Sequence, residues 1–356
     1  MPGASIANAT YWRNAISSQT GMATVASTPA SRWEEVENLV VGLRGGDVRA
    51  LARAISLVEN DAPAAASVLS ACFPHTGHAL RIGLTGAPGS GKSTLVDRLA
   101  GHYRAQQQAV GIVAVDPTSP FTGGAILGDR IRMQGHYADP GLYIRSMATR
   151  GFLGGLASTT ADVASVVEAS GKTRLLIETV GVGQDEVDIV RLADVTVVML
   201  VPGLGDDVQS IKAGILEIAD IFVVNKSDRE GADRVEREIR AMQSLGGQAE
   251  GWAPPVVRTV ATTGEGTTAL AEAIERCAEW LRHAGRLDEK RTVAWQARLV
   301  EMIRQKLVRE LVRHRLGASD LEAHARAVAA RQEDPYLLVD KLVHGLLDLH
   351  RDDGSV

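Results

Sequence analysis

Apolar residues recur along this chain in two rhythms, and the change from one to the other divides it. Between Trp33 and Leu43 they fall at 33, 36, 39, 40 and 43, the spacing of one helix face. Gly45-Gly46 ends that segment. Asp47 then stands as a helix N-cap ahead of Val48, Leu51, Ile55 and Val58, the apolar face of an expected second helix. Both helices are expected to pack on the domain that follows. From about residue 80 the pattern becomes short apolar runs, at 80–85, 110–115, 142–145, 174–178, 195–201, 220–224 and 256–260. Helical or loop stretches separate them, at 93–107, 154–169, 208–218, 232–243 and 267–284. Strands alternating with helices predict an α/β fold whose mostly parallel sheet is covered on both faces. In such sheets a ligand sits beyond the C-terminal ends of the strands.

Past residue 288 the pattern turns helical again. Trp295, Leu299, Ile303, Leu307 and Leu311 step by four through 291–316, with Arg and Lys filling much of the rest. Gly317-Ala318-Ser319-Asp320 breaks this stretch, and a further helix follows. Asp334-Pro335 opens a last helix, with Asp as N-cap and Pro in the first turn. Its apolar face holds Leu338, Leu342 and Leu346, with Val339, Val343 and Leu349 beside them. Two readings stand: a helical cap on the core, or a dimerisation arm, since an apolar stripe outside the sheet needs a partner. The expected divisions are a tail at 1–32, a helical extension at 33–78, the α/β domain at 79–287 and the helical segment at 288–356.

Composition narrows the partners. The 356 residues suffice for one large α/β domain with extensions, or for two small domains. A net charge of −5 argues against a nucleic-acid binder, and an aromatic content of 4% against a base-stacking platform. Cys72 and Cys277 lie far apart, so neither a metal-spaced pair nor a disulfide framework is expected, and a reducing cytoplasm fits. No run of 18 apolar residues occurs, so no membrane span is expected. Residues 1–32 are rich in Ala, Ser and Thr and lack Asp and Glu. They read as a disordered bacterial tail; the alternative is a transit peptide, which would place the protein in the mitochondrial matrix.

The candidate chemistry starts at the end of the first run. Gly86-Ala87-Pro88-Gly89-Ser90-Gly91-Lys92-Ser93 fits G-x-x-x-x-G-K-[ST] and follows Leu80–Leu84 directly. This is a phosphate-binding loop. Its glycines let backbone N–H groups curl around an anion, Lys92 adds charge for the outer phosphates, and Ser93 offers a hydroxyl to Mg²⁺. The helix beginning near Ser93-Thr94 aims its positive end at the same phosphates. The bland alternative, a chance Gly-rich turn, has neither the strand before nor the helix after.

Asn225-Lys226-Ser227-Asp228 follows the apolar run Ile221–Val224 and reads N-K-x-D. The Asp228 carboxylate can accept from the N1–H and 2-amino group of guanine. Adenine lacks that donor pair, so a buried carboxylate left unpaired would reject it. Asn225 is expected to tie this base loop to the phosphate loop, and the Lys226 stem to lie along the base. The alternative is a solvated turn. The nucleotides implied are GTP and GDP. Thr262-Thr263-Gly264 follows another run and extends the base pocket, with Ala261 and Thr262 as candidates.

Asp116 and Glu178 each end an apolar run and would face the place where Mg²⁺ must sit, which needs only one or two carboxylates. Asp129 lies in the Gly-rich segment Thr122–Arg130, which could close on a γ-phosphate as switch loops do. The alternative for each is a carboxylate capping a helix. Gln184 is a candidate to orient a water. Gly203–Lys212, with Asp206, is a further Gly/Asp-rich loop, either a third switch or a connection.

The run Asp116–Met133, the strings Arg150–Leu156 and Glu178–Gln184, and the loop up to Lys212 together resemble the MeaB/ArgK-type P-loop GTPases, over about residues 33 to 350. The resemblance implies a G-protein chaperone of adenosylcobalamin-dependent acyl-CoA mutases, methylmalonyl-CoA mutase above all. It would gate loading, protection and reactivation of the mutase, with an adenosyltransferase as a candidate further partner. By the same resemblance Lys92, Ser93, Asp116, Asp129 and Glu178 match phosphate, Mg²⁺ and hydrolysis positions, Lys212 matches a lysine that senses the mutase, and the C-terminal helices match a homodimerisation arm. The Cys/His clusters of related nickel-delivery GTPases are missing, so no transition-metal site is expected. Two rival functions remain: a small-molecule kinase linked to amino-acid transport, and a regulator that acts by binding alone.

Overall fold

The hydrophobic runs become strands because both of their faces are covered. The computed structural model describes residues 29–116, 139–148, 155–179, 189–203, 218–245, 251–315 and 318–352. Three helices come first: α1 (Pro29–Arg44), α2 (Val48–Glu59) and α3 (Ala65–Cys72). Then follow β1 (Leu80–Gly86), α4 (Lys92–Ala105), β2 (Val110–Asp116), β3 (Leu142–Ala148), α5 (Gly155–Ala169), β4 (Arg174–Glu178), β5 (Val195–Leu200), β6 (Ile221–Asn225), α6 (Ala232–Leu245), β7 (Val256–Thr259) and α7 (Thr267–His283). The strands form one seven-stranded sheet in the order β3-β2-β4-β1-β5-β6-β7. Every pairing is parallel. The mostly parallel α/β sheet expected from the pattern is therefore present, with each predicted strand in place.

Alternate residues of the strands feed two apolar layers. Leu80, Ile82 and Leu84 of β1, with Val197 and Met199 of β5, pack under Leu95, Leu99 and Tyr103 of α4 and Leu270, Ile274 and Cys277 of α7. On the other face Val113 and Leu175 meet Val163, Val166 and Val167 of α5, and the N-terminal helices extend this layer with Val36, Val40, Leu43, Leu51, Ile55 and Val58. Those helices therefore pack on the domain as the pattern predicts. Their apolar faces differ at one end each. Trp33 is 50% exposed and Val48 58%, and Ala54 fills the core position instead. Both exposed residues sit near helix starts, where the layer has not yet closed. Asp47 does cap α2, accepting from the Arg49 N–H at 2.8 Å. Helix α3 is an addition; its Ala-rich sequence carries no strong rhythm.

The chain groups into two compact units, one reaching to Trp295 and one from Gln296 onward. A long helix, α8 (Arg286–Arg315), starts five residues earlier than the apolar stepping suggests. Its first turns are held by charge: Lys290 Nζ lies 2.8 Å from Asp220 Oδ2, and Arg291 Nε 2.8 Å from Asp194 Oδ1. Helix α9 (Ala318–Ala329) begins inside the expected break, and α10 (Pro335–Asp352) follows. Asp334 caps α10 by accepting from the Tyr336 and Leu337 N–H groups at 2.8 and 3.1 Å.

Candidate functional site

The sheet order puts the C-terminal end of β1 between β4 and β5, and the motif residues gather there. The chain leaves β1 at Gly86, whose φ is +147°. A Cβ at this position would lie 2.3 Å from the Met199 carbonyl oxygen of β5, so only glycine lets the loop start so close to the next strand. Gly91 closes the loop with φ +94° as N-cap of α4. A Cβ there would meet Asn225 Nδ2 at 2.5 Å. No side-chain hydrogen bond caps the start of α4, and a helix N-terminus at a phosphate-binding loop favours an anion.

Lys92 is 6% exposed and donates through Nζ to the carbonyls of Gly86 at 2.8 Å and Ala87 at 3.1 Å. Its ammonium therefore lies against the start of the loop, beside the α4 N-terminus. Ser93 Oγ donates to Glu178 Oε1 at 2.6 Å. Glu178 ends β4 and is 4% exposed. A second tie fixes that strand end: the Thr179 N–H donates to the Leu84 carbonyl at 3.2 Å, and the Thr179 and Thr85 hydroxyls bond at 3.1 Å. Thr85 carries no motif signature, yet with Thr179 it holds the acid beside the loop.

Asn225, at the end of β6, is 1% exposed and joins three segments. Its Nδ2 donates to the Ser90 carbonyl at 2.7 Å, while Oδ1 accepts from Thr259 Oγ1 at 3.0 Å and the Ala261 N–H at 3.1 Å. Lys226, at φ +56°, reaches across to the Gly89 carbonyl at 2.8 Å. The N-K-x-D segment is thus bonded to the phosphate loop twice. Asp228 is exposed. Rejection of adenine by an unpaired carboxylate therefore depends on the base itself covering Asp228. Ala261 is buried and Thr262 exposed.

Arg98 was not singled out by any motif. It projects from α4, and its guanidinium donates to the Ala261 carbonyl at 3.1 Å and the Thr262 carbonyl at 2.6 Å. Backbone carbonyls leave no trace in a sequence, so no signal could have found it. Asp116 ends β2 on the strand beside Glu178, two residues past Ala114, which pairs with Glu178. Its side chain lies outside the described residues, as do Asp129, Gln184, Asp206 and Lys212 entirely. A surface cleft of about 290 Å³ between α4 and α7, lined by His102, Tyr103, Glu272, Glu275 and Arg276, involves none of the motif residues.

The arrangement can hold a phosphate chain along the loop and α4, with a purine against Asn225–Asp228 and 261–262. The oxygens at its centre, the Ser93 hydroxyl and the Glu178 carboxylate, are hard donors of the kind Mg²⁺ takes, so the donor set fits that ion. Among the described residues no helix is long and apolar enough to cross a membrane.

Comparison with known proteins agrees with this geometry. A family model described as methylmalonyl-CoA mutase-associated GTPase MeaB matches residues 51–316. A Pyrococcus abyssi protein named as a candidate GTPase is 48% identical over 319 residues, covering 88% of this chain and 97% of its own. A mouse protein named methylmalonic aciduria type A homolog, mitochondrial, is 32% identical over 333 residues, covering 88% of this chain and 80% of its own. A solved structure described as LAO/AO transport system kinase superposes with a TM-score of 0.64 at 24% identity, covering 90% of this chain and 99% of that one; it supports the fold.

Proposed function

This chain belongs to the MeaB family of methylmalonyl-CoA mutase-associated GTPases, and from that membership we propose that it hydrolyses GTP as the chaperone of a B12-dependent acyl-CoA mutase. Hydrolysis would gate loading, protection and reactivation of adenosylcobalamin in that mutase. The observation that carries the GTP reading is Asn225, whose three bonds join the phosphate loop, β7 and the base loop into one site. A chance pair of motifs has no reason to be bonded together.

Each residue has a definable task. The loop Gly86–Ser93 and Thr94 would bind the phosphates through backbone N–H groups and the Lys92 ammonium. Asp228 would read the guanine N1–H and 2-amino group, Lys226 would lie along the base, and Ala261 and Thr262 would border it. Mg²⁺ would be held by Ser93 and Glu178 with Asp116 and Asp129, and when bound supplies charge neutralisation at the outer phosphates. A water oxygen bonds to the γ-phosphorus while the bond to the β–γ bridging oxygen breaks, so GDP and phosphate leave. Lys92 and the loop amides favour the charge that develops on the oxygens. Gln184, Asp206 and Lys212 would orient the water and sense the mutase. No arginine is assigned to the transition state, so turnover is expected to be slow until the mutase orders the switches.

The C-terminal helices would pair two copies. Leu299, Ile303 and Leu307 are 52%, 58% and 50% exposed on the single chain, an apolar stripe of the sort a second copy covers. A cytoplasmic location accompanies this reading, with an adenosyltransferase as a candidate further partner.

The test is the GTPase rate of the purified chain with and without a B12-dependent acyl-CoA mutase. A rate raised by the mutase supports the proposal. Complex formation with an unchanged rate indicates a regulator that acts by binding alone, and transfer of the γ-phosphate to a small molecule indicates a kinase. Lys92→Ala should abolish tight GTP binding, and Asp228→Asn should reduce the preference for GTP over xanthosine triphosphate.

A further inference from the structure

The geometry points to Arg98 as a positioning residue for base recognition. Through the 261–262 peptide it aims a backbone N–H at the purine's six-position oxygen. This rests on the reading of the site as a guanine-nucleotide site. Arg98 sits on α4, the helix that begins at the phosphate loop, yet both of its acceptors belong to the loop after β7. Its Nε donates to the Ala261 carbonyl at 3.1 Å and its second terminal nitrogen to the Thr262 carbonyl at 2.6 Å. Asn225 Oδ1 meanwhile accepts from the Ala261 N–H at 3.1 Å. Residue 261 is therefore gripped at both ends, its N–H by β6 and its C=O by α4.

That grip fixes a direction. In a planar trans peptide the N–H points opposite to the C=O of the preceding residue. With the Ala261 carbonyl turned to Arg98, the Thr262 N–H must face away from α4. The next two N–H groups are already committed, since those of Thr263 and Gly264 donate to the Val260 carbonyl at 3.1 and 2.9 Å. The Val260–Glu265 bridge closes the same turn. Among the described residues the Thr262 N–H is thus left as the donor of this turn, held by a rigid frame. A base against Asn225–Asp228 presents its six-position there. A carbonyl oxygen accepts from that N–H; an amino group meets it donor to donor.

Arg98 then acts on one edge of the base, and Asp228 on another. Calorimetric binding of GDP, inosine diphosphate and 2,6-diaminopurine riboside diphosphate separates the two. Inosine keeps the six-position oxygen and the N1–H and lacks the 2-amino group; diaminopurine keeps the 2-amino group but has an amino group at the six-position and no hydrogen on N1, so each nucleotide is read as the change from the unaltered chain to the variant. Arg98→Ala should weaken GDP about tenfold, the value of one well-aligned bond, while the diaminopurine nucleotide changes little. The preference for GDP over inosine diphosphate should stay as in the unaltered chain. Arg98→Lys, which can reach one carbonyl, should recover part of the loss.

Equal weakening of all three nucleotides would overturn the proposal and leave Arg98 a packing role. So would an unchanged ratio of GDP to diaminopurine nucleotide in Arg98→Ala. If the unaltered chain fails to bind GDP, the reading of the site falls, and this proposal with it. Thermal melts of each variant show whether the fold survives.

Discussion

Replacing Asn225 with Ala tests how the two halves of the site are joined. The side chain is 1% exposed, and the change removes the amide that donates to the Ser90 carbonyl and accepts from Thr259 Oγ1 and the Ala261 N–H. A net intramolecular hydrogen bond contributes about 1 kcal/mol, which puts the loss at about 3 kcal/mol. Two of the abandoned partners cannot simply turn to water, because Thr259 is 0% and Ala261 3% exposed. The loss should therefore not fall much below that figure. Urea unfolding followed by tryptophan fluorescence measures it, since the rings of Trp252 and Trp280 lie 5.7 Å apart in the same unit. With a slope of roughly 2–3 kcal/mol per molar urea, the midpoint should drop by about 1 M. GDP affinity should fall about tenfold, because ordering the two loops then draws on binding energy. Asn225→Asp sharpens the test: it keeps the shape and the acceptor but sets a carboxylate oxygen against the Ser90 carbonyl. Burial would raise the pKa of that carboxylate, so its cost should be greatest at neutral pH and ease as the pH falls and the group protonates. An unmoved urea midpoint and unchanged GDP affinity in Asn225→Ala would refute the joining role.

Three further outcomes are expected. Gly91→Ala brings a Cβ within 2.5 Å of Asn225 Nδ2 at φ +94°, so it should weaken GDP binding and stability together. In an Asn225→Ala background the collision is gone and about 1–2 kcal/mol of backbone strain remains, so additive costs in a double-mutant cycle would contradict the geometry. Burial pushes the Cys72 thiol up to about 11 and the Cys277 thiol up to about 12, so neither should react promptly with Ellman's reagent at pH 8 until urea unfolds the chain. These thiols ionise first in the unfolded chain, so stability should decline as the pH climbs from about 9 towards 11. Arg291→Met strips two bonds of 2.8 and 2.9 Å from Asp194, whose side chain is 4% exposed. Uncovering that carboxylate should cost about 3 kcal/mol in thermal melts, with partial recovery on adding Asp194→Asn.

Which features the sequence revealed follows from where their partners lie. Strands β5 and β6 were plain because a parallel strand covered on both faces is a near-continuous apolar run, as Val195–Leu200, broken only by Thr196, and Ile221–Val224 are. Edge strand β3 runs to Ala148, three residues past its expected end. Its Arg145, the last residue of the expected run, pairs with Glu59 of α2. The first five residues of α8 were missed because they carry no apolar stepping, and the charges that hold its start, Lys290 and Arg291, pair with Asp220 and Asp194, the residues just ahead of β6 and β5. At the site the division is sharper. The phosphate loop is a local spacing, so Gly86, Gly91 and Lys92 were legible residue by residue. The N-K-x-D segment was legible too, as a local spacing directly after β6. What escaped were the groups that hold the loops: Arg98 on two carbonyls, and Thr85 on Thr179. A motif records side chains whose chemistry is demanded by the nucleotide. A tie to a backbone carbonyl demands only a donor of the right reach, and many sequences can supply one. Family motifs therefore read out what the site does more fully than how it is kept in shape, and variation in selectivity among such GTPases should be sought at positions like Arg98 rather than within the motifs themselves.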